Sequence, residues 1–555
     1  MPKRLAITIS GAVSLGSYEA GVLYEVTHAL AQHNADPVTI ANGEQIYIDV
    51  LTGASAGGMT ATIAAQKLLY EAGSLSGAYS NSFYRPWVAD VSIEGLLAMH
   101  GDDNRLKSVL SSEHVIDISK RHLTARYQSH VDPPRQKHPA CAPLLRLGLA
   151  LANLNGVDYG LPLRPSGQFV YTRHQDELTT WFDPNNPNDD TLDFWDPLRN
   201  ACVSCGAFAF AFRVIDVIRH AGEYTDPHLI SHVAPTQSFT YTDGGTFQNE
   251  PIGLAKNLVD LIDQHLDVDN RFYLYVAPGA KSSSSNSDFN AGNADYRSTA
   301  LRLVASIFDQ ARFQDWINAE RINEKVALFN TRATELRDLL KGASAAITKR
   351  AKTLQAAADE LLPALFGNLP AVQPGQPAPE TLAQARTRLQ KQFDADYKAL
   401  PAATRDAWID SILTLETAAH LSSRDEMTIY GITADDSELA STELFAFAGF
   451  FDRRYREHDY DIGRQKTQDF LETPGALGPI RFTPEPIHPI DTSLNGLKLE
   501  RMDRHIRETV RDRLRDRAHE ILKEAGINPW LIGGAVREAI DLALIKPQLD
   551  KLLKL

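Results

Sequence analysis

Apolar positions fall along this chain in distinct rhythms, and each rhythm predicts a different element. Leu5-Ala6-Ile7-Thr8-Ile9 and Ile46-Tyr47-Ile48-Asp49-Val50-Leu51 are short runs rich in β-branched residues, the composition of buried strands. After each run the spacing changes. Val22, Leu23, Val26 and Leu30 share one face of a helix over Tyr18 to Leu30, and Met59, Ile63, Leu68 and Leu69 recur at helical spacing beyond Gly57. Strand, loop and helix thus follow one another twice near the start. Ser238 to Gly245 reads as a strand ending on Asp243 and two glycines, and Arg271 to Ala277 (RFYLYVA) as another. Ala140 to Leu163 is apolar enough for a helix, either a cap or interfacial helix or one buried in the core; it is too short and interrupted to span a bilayer.

The rhythm changes past residue 280. An α/β unit is expected over 1–280 and a flexible linker over 281–298, where Lys281 to Asn293 is rich in serine, asparagine and glycine. A helical insertion follows over 299–425, with helices from Thr299 to Leu362 and Glu380 to Leu421 separated by a break at Pro363 to Pro379. Residues 426–555 return to strand character at Glu426 to Ile432, which can add an edge to the first sheet. From Ser441 they read as helical almost to Leu555. Leu499 to Arg517 pairs arginine with acidic residues, as on a solvated, ion-paired helix face.

The chemistry concentrates at one junction. Gly53-Ala54-Ser55-Ala56-Gly57 stands between a strand and a helix, where a sharp turn exposes a serine hydroxyl and needs small residues two positions away on each side. Gly342-Ala343-Ser344-Ala345-Ala346 has nearly the same letters but no preceding strand, and is given no function. The loop from Ser10 to Gly16 would present backbone N–H groups at the positive end of a helix, a setting that stabilises an oxyanion; read alone, it is also an ordinary strand–helix turn. It is a poor phosphate loop, since Ser17 stands where lysine is required. Asp243 at a strand end is a candidate base for Ser55, or else part of an Asp-Gly hairpin turn.

Composition narrows the field. A net charge of −14 over 555 residues disfavours nucleic acid and anchoring on anionic lipid, so membrane contact would be transient and apolar. Three cysteines make no disulfide framework, and Cys202 and Cys205 lack the second pair that a zinc site needs; no metal or cofactor is expected. Met1 to Arg4 mimics the start of a signal peptide, but Thr8, Ser10, Ser14 and Ser17 interrupt the apolar stretch, so a cytoplasmic product without a cleaved signal is expected.

The glycine loop at Gly11 to Gly16, the serine elbow at Gly53 to Gly57 and Asp243-Gly244-Gly245, in this order, resemble the patatin-like phospholipase family. Ala201 to Phe212 (ACVSCGAFAFAF) is similar to the family's small and aromatic block, and Phe445 to Leu471 to a segment of longer bacterial members. The resemblance implies a three-layer α/β/α hydrolase core with a largely helical C-terminal extension. It implies a lipid or phospholipid ester as substrate, Ser55 as nucleophile, Asp243 as its base, and an oxyanion hole at Gly11, Ala12 and Val13. Gly53 and Gly57 would shape the elbow, with Gly16, Gly244 and Gly245 in support. The loop departs from the family pattern: Ala12 and Val13 replace two glycines and Leu15 an arginine. A valine resists positive φ, so a loop that needs that conformation at position 13 would be strained. Two alternatives stay open: a Ser-His-Asp triad using His458, His488 or His505, and a weakly active or inactive scaffold acting through its helical region.

Overall fold

Leu5, Ile7 and Ile9 are fully buried, as are Ile48, Val50 and Leu51, because β1 (Lys3–Ile9) and β2 (Ile46–Gly53) lie parallel in the middle of one sheet. The computed structural model describes every residue except 1, 105–106, 124–135, 164–165, 183–191, 210, 227, 264–269, 280–288, 293, 296–298, 300–301, 304–305, 308–309, 312–313, 367–379, 420, 422–426, 474, 476 and 525–544. Most of the expected linker therefore lies outside the described residues. The remaining strands are β3 (Cys141–Pro162), β4 (Gln168–Phe182), β5 (Ile215–His220), β6 (Thr236–Asp243), β7 (Arg271–Ala277) and β8 (Ile429–Thr433). Their order is β5-β6-β3-β2-β1-β7-β8, with β4 paired to β3. This is a mixed sheet with flanking helices, an α/β fold.

The run Ala140 to Leu163 is a strand, not a helix. Its leucines and alanines favour a helix locally, but β3 takes β4 along one edge and, on the other, β2 followed end to end by β6. Burial from both sides outweighs that preference. β8, expected at a sheet edge, is there, parallel to β7.

Two units make up the chain, one of Met1–Ala255, Phe272–Asp315 and Ile429–Leu555, the other of Lys256–Arg271 and Trp316–Thr428. In the first, the helix Gly16–Ala35 lies against the helix Arg453–Glu472. Gly21 and Gly463 permit that approach: a Cβ on Gly21 would collide with the Tyr460 carbonyl, and one on Gly463 with that of Tyr18. Beside this contact Arg464 Nε meets Glu25 Oε1 at 2.7 Å, both side chains fully buried. Helical character does not persist from Ser441 to the end. Between the helices Arg453–Glu472 and Arg504–Glu524 the described chain is irregular with short 3-10 turns, since Pro479, Pro484, Pro486 and Pro489 remove the N–H groups a helix would use.

The second unit is helical, built from Gln314–Leu340, Ala345–Phe366, Leu382–Gln392 and Ala402–Ala418. Pro363, expected to break the pattern, sits within the second of these helices. Trp408 is fully buried and donates its indole N–H to Ala333 O at 2.9 Å.

Candidate active site

β2 ends at Gly53, and the chain turns through Ser55 into the helix Ala56–Tyr70. Ser55 has φ 50° and ψ −128°, a left-handed conformation that a serine holds only where the surroundings impose it. The two elbow glycines explain why it is imposed here. A Cβ on Gly53 would strike the Gly57 backbone, and one on Gly57 would strike the carbonyls of Ile9 and Ser10. Clearance at both positions lets the chain fold back tightly enough to present the hydroxyl.

Asp243 reaches the same place by an unexpected route. β6 runs antiparallel to β3, and β3 is parallel to β2, so β6 opposes the strand that carries the serine. Its register resolves the conflict. Leu149 of β3 is level with Gly53, and Leu151 is level with Asp243, so β6 runs along the same side of β3 as β2, towards the end of β2, and stops where β2 stops. Gly244 continues the turn against β3, where a Cβ would overlap the Ala150 carbonyl.

Ser55 Oγ donates to Asp243 Oδ2 at 2.6 Å, while Asp243 Oδ1 accepts the N–H of Gly245 at 2.7 Å. Asp243 is buried, and that burial raises its pKa to about 7, against the lowering effect of the hydrogen bonds from Ser55 and Gly245. Of the three candidate histidines, His458 bonds Glu438 O at 2.9 Å, His488 stacks on Tyr79 and His505 is exposed. None bonds Ser55 or Asp243 among the described residues.

The loop before the first helix brings amides close to this pair. The would-be Cβ of Gly11 lies 3.0 Å from Ser55 Cβ. Gly11 N–H, however, already donates to Asn249 O at 3.0 Å, and Asn249 Nδ2 returns a bond to Gly11 O at 3.4 Å. The Ala12 and Val13 N–H groups make no hydrogen bond among the described residues. Val13 has φ 51°, the conformation that a valine resists. Gly16 leaves room for Trp87, whose Cε3 lies 2.6 Å from where a Cβ would stand.

Three features escaped the sequence. Asn249 follows the D-G-G turn and ties it to the glycine loop, a contact that no local pattern announces. Residues 441–451 pack on that loop as well: Ser14 Oγ donates to Ala446 O, and a Cβ on Gly449 would meet the hydroxyls of Ser14 and Ser441. Leu444, Phe445 and Ala446 all have positive φ, a left-handed turn without glycine. Finally, Ser55 opens onto a largely apolar cavity lined by Val13, Met59, Trp87, Phe208 and Phe450, with His122 in its wall. The small and aromatic block supplied a hint of this cavity through Phe208 and Phe212.

Together these features define an α/β protein that buries a serine–carboxylate pair where two of its strands end, beside an apolar cavity. Residues 7–256 match the family model described as Patatin-like phospholipase, so a patatin-like phospholipase domain covers that part of the chain. No curated protein matches the chain. That match supports lipid acyl hydrolase activity in general. Among the described residues no helix is long and apolar enough to cross a membrane, and no cluster of three or more His, Cys, Asp or Glu could hold a metal ion.

Proposed function

We propose that the protein hydrolyses lipid acyl esters through a Ser55–Asp243 dyad and an acyl-enzyme. The observation that carries this reading is the 2.6 Å bond from Ser55 Oγ to Asp243 Oδ2 at the mouth of an apolar cavity. Ser55 Oγ attacks the ester carbonyl as its proton passes to Asp243. An aspartate near its ordinary pKa of about 3.9 is a weak base towards a hydroxyl. Burial shifts Asp243 to about 7 and removes much of that deficit. The N–H groups of Ala12 and Val13 donate to the developing oxyanion. Gly11 acts differently, its amide being spent on Asn249, which holds the loop in place.

Collapse of the tetrahedral intermediate returns the proton from Asp243 to the departing alcohol. Water then repeats the sequence on the acyl-enzyme, with Asp243 taking the water's proton and Ser55 regaining its own. The apolar cavity suits an acyl chain and excludes the solvent that would otherwise lower the carboxylate's pKa.

Ser55→Ala and Asp243→Asn, each assayed on a panel of phospholipid and neutral lipid esters, test the scheme. Both are expected to lose at least a thousandfold in kcat, and a fluorophosphonate probe to label the wild type at Ser55 alone. Full activity in either variant would reject the dyad. A wild type inert towards every ester and every probe would favour the scaffold reading instead.

A further inference from the structure

The wall of the cavity holds a group that a plain hydrocarbon chain would leave without a partner. Beside the nucleophile, Ser119 and His122 interrupt a lining made mostly of aliphatic, aromatic and thiol side chains. They lie three apart on the helix Ser112–His122 and so share a face. Both are deeply placed, with Ser119 6% exposed and the His122 side chain 11%.

Their hydrogen bonding decides what they can offer. His122 Nε2 lies 2.6 Å from Asp90 Oδ2, and Asp90 also has Arg121 Nη1 at 3.4 Å. A carboxylate fixes the tautomer of the imidazole it faces, putting the proton on Nε2 and leaving Nδ1 as an acceptor. Nδ1 has no hydrogen-bond partner among the described residues. Ser119 Oγ spends its proton on Ile116 O at 2.6 Å, so its lone pairs are likewise available. Burial lowers the His122 pKa against the raising effect of Asp90, and Lys67 and Arg121 lower it further, so the ring is neutral and does not attract an anionic chain end. The missing element is a neutral donor.

We propose that the Asp90–His122 pair, with Ser119, forms a hydroxyl-binding subsite within the acyl cavity, and that the preferred acyl group carries a hydroxyl along its chain. This rests on the hydrolase reading of Ser55 and names the substrate class of that same site. A substrate hydroxyl donates to His122 Nδ1 and lies within reach of Ser119 Oγ. An unsubstituted chain leaves a buried acceptor unpaired, a loss of about tenfold to a hundredfold in affinity. Sites built to bond a substrate hydroxyl discriminate against analogues lacking it for this reason.

The test uses hexadecanoate esters that are identical except for one hydroxyl placed at successive carbons. With the full-length wild type, kcat/KM is expected to peak at one hydroxyl position, at least tenfold above the unsubstituted ester. In His122→Phe that ratio should fall close to one. Asp90→Asn, which keeps the ring but loosens its tautomer, should lower the ratio while short-chain esters still report a folded, Ser55-dependent enzyme. Equal rates for all positions in the wild type, or a preference that survives in His122→Phe, would overturn the subsite. If no ester is hydrolysed, the dyad fails separately, and binding of the same esters to Ser55→Ala by calorimetry then decides: tighter binding of one hydroxylated ester, lost in the Ser55→Ala, His122→Phe double variant, supports the subsite. Indistinguishable affinities reject it.

Discussion

Ser14, in the loop beside Ser55, donates its hydroxyl to the carbonyl of Ala446, 432 positions further along the chain. The family match stops at residue 256, yet the segment that braces the glycine loop and contributes Phe450 to the cavity wall lies well beyond it. The site is thus assembled from both ends of a discontinuous unit.

Arg456 makes this dependence measurable. It is 2% exposed and donates to Gly449 O at 2.8 Å and to Val88 O at 3.2 and 3.3 Å, joining the two cavity walls that carry Phe450 and Trp87. Arg456→Met is expected to cost about 2 kcal/mol or more of stability by leaving buried carbonyls unpaired. Arg456→Lys should not restore it, because a single ammonium cannot span both walls. Long-chain ester hydrolysis should suffer more than acetyl ester hydrolysis in either variant. Equal losses for the two substrates would show that Arg456 has no part in shaping the cavity.

The pH profile follows from the direction of the Asp243 shift. In the proposed dyad the carboxylate form is the base, so kcat/KM should rise as pH climbs through about 7. A profile already flat at pH 5 would place the base elsewhere.

The same shift acts on stability with the opposite sign. Between the unfolded pKa of about 3.9 and the folded value near 7, the folded state binds more protons, so raising the pH across that window destabilises the fold. Asp243→Asn removes the buried charge. Its unfolding midpoint should exceed that of the wild type at pH 8, by an amount that shrinks towards pH 4. Parallel melting curves across this range would contradict the shift.

Val13 holds φ 51°, where a β-branched residue costs about 1–3 kcal/mol. Val13→Gly relieves that strain and keeps the backbone N–H. Hydrolysis in this variant should equal or exceed that of the wild type, with stability changed by no more than about 1 kcal/mol. A tenfold fall in kcat would mean that the valine side chain, rather than its amide, matters.

Much of this was legible in the sequence because the information was local. The β-branched run before Gly53 and the helical spacing after Gly57 were enough to place Ser55 at an elbow. For Asp243 the local pattern left two readings, a base for Ser55 at a strand end or a hairpin turn, and only the resemblance chose between them, since its register depends on an antiparallel strand that no local pattern reveals. β3 was misread because a central strand flanked on both sides can be as rich in leucine and alanine as a buried helix. Asn249, His122 and the left-handed turn at Leu444 to Ala446 stayed hidden for a shared reason: each acts through a partner distant in sequence. The valine, by contrast, was foreseeable as a strain, and it occupies the very conformation that glycine would have eased.

The glycine-lined crossing of the helices Gly16–Ala35 and Arg453–Glu472 has a consequence during synthesis. Ser55 and Asp243 leave the ribosome well before the second of these helices, and 228 residues separate Asp243 from Leu471. At translation speeds of about 5–20 residues per second, the nascent first half waits roughly ten to fifty seconds with that face of its first helix uncovered. During that interval the glycine loop lacks its brace from Ala446. The brace on the glycine loop therefore forms only after synthesis has passed residue 471.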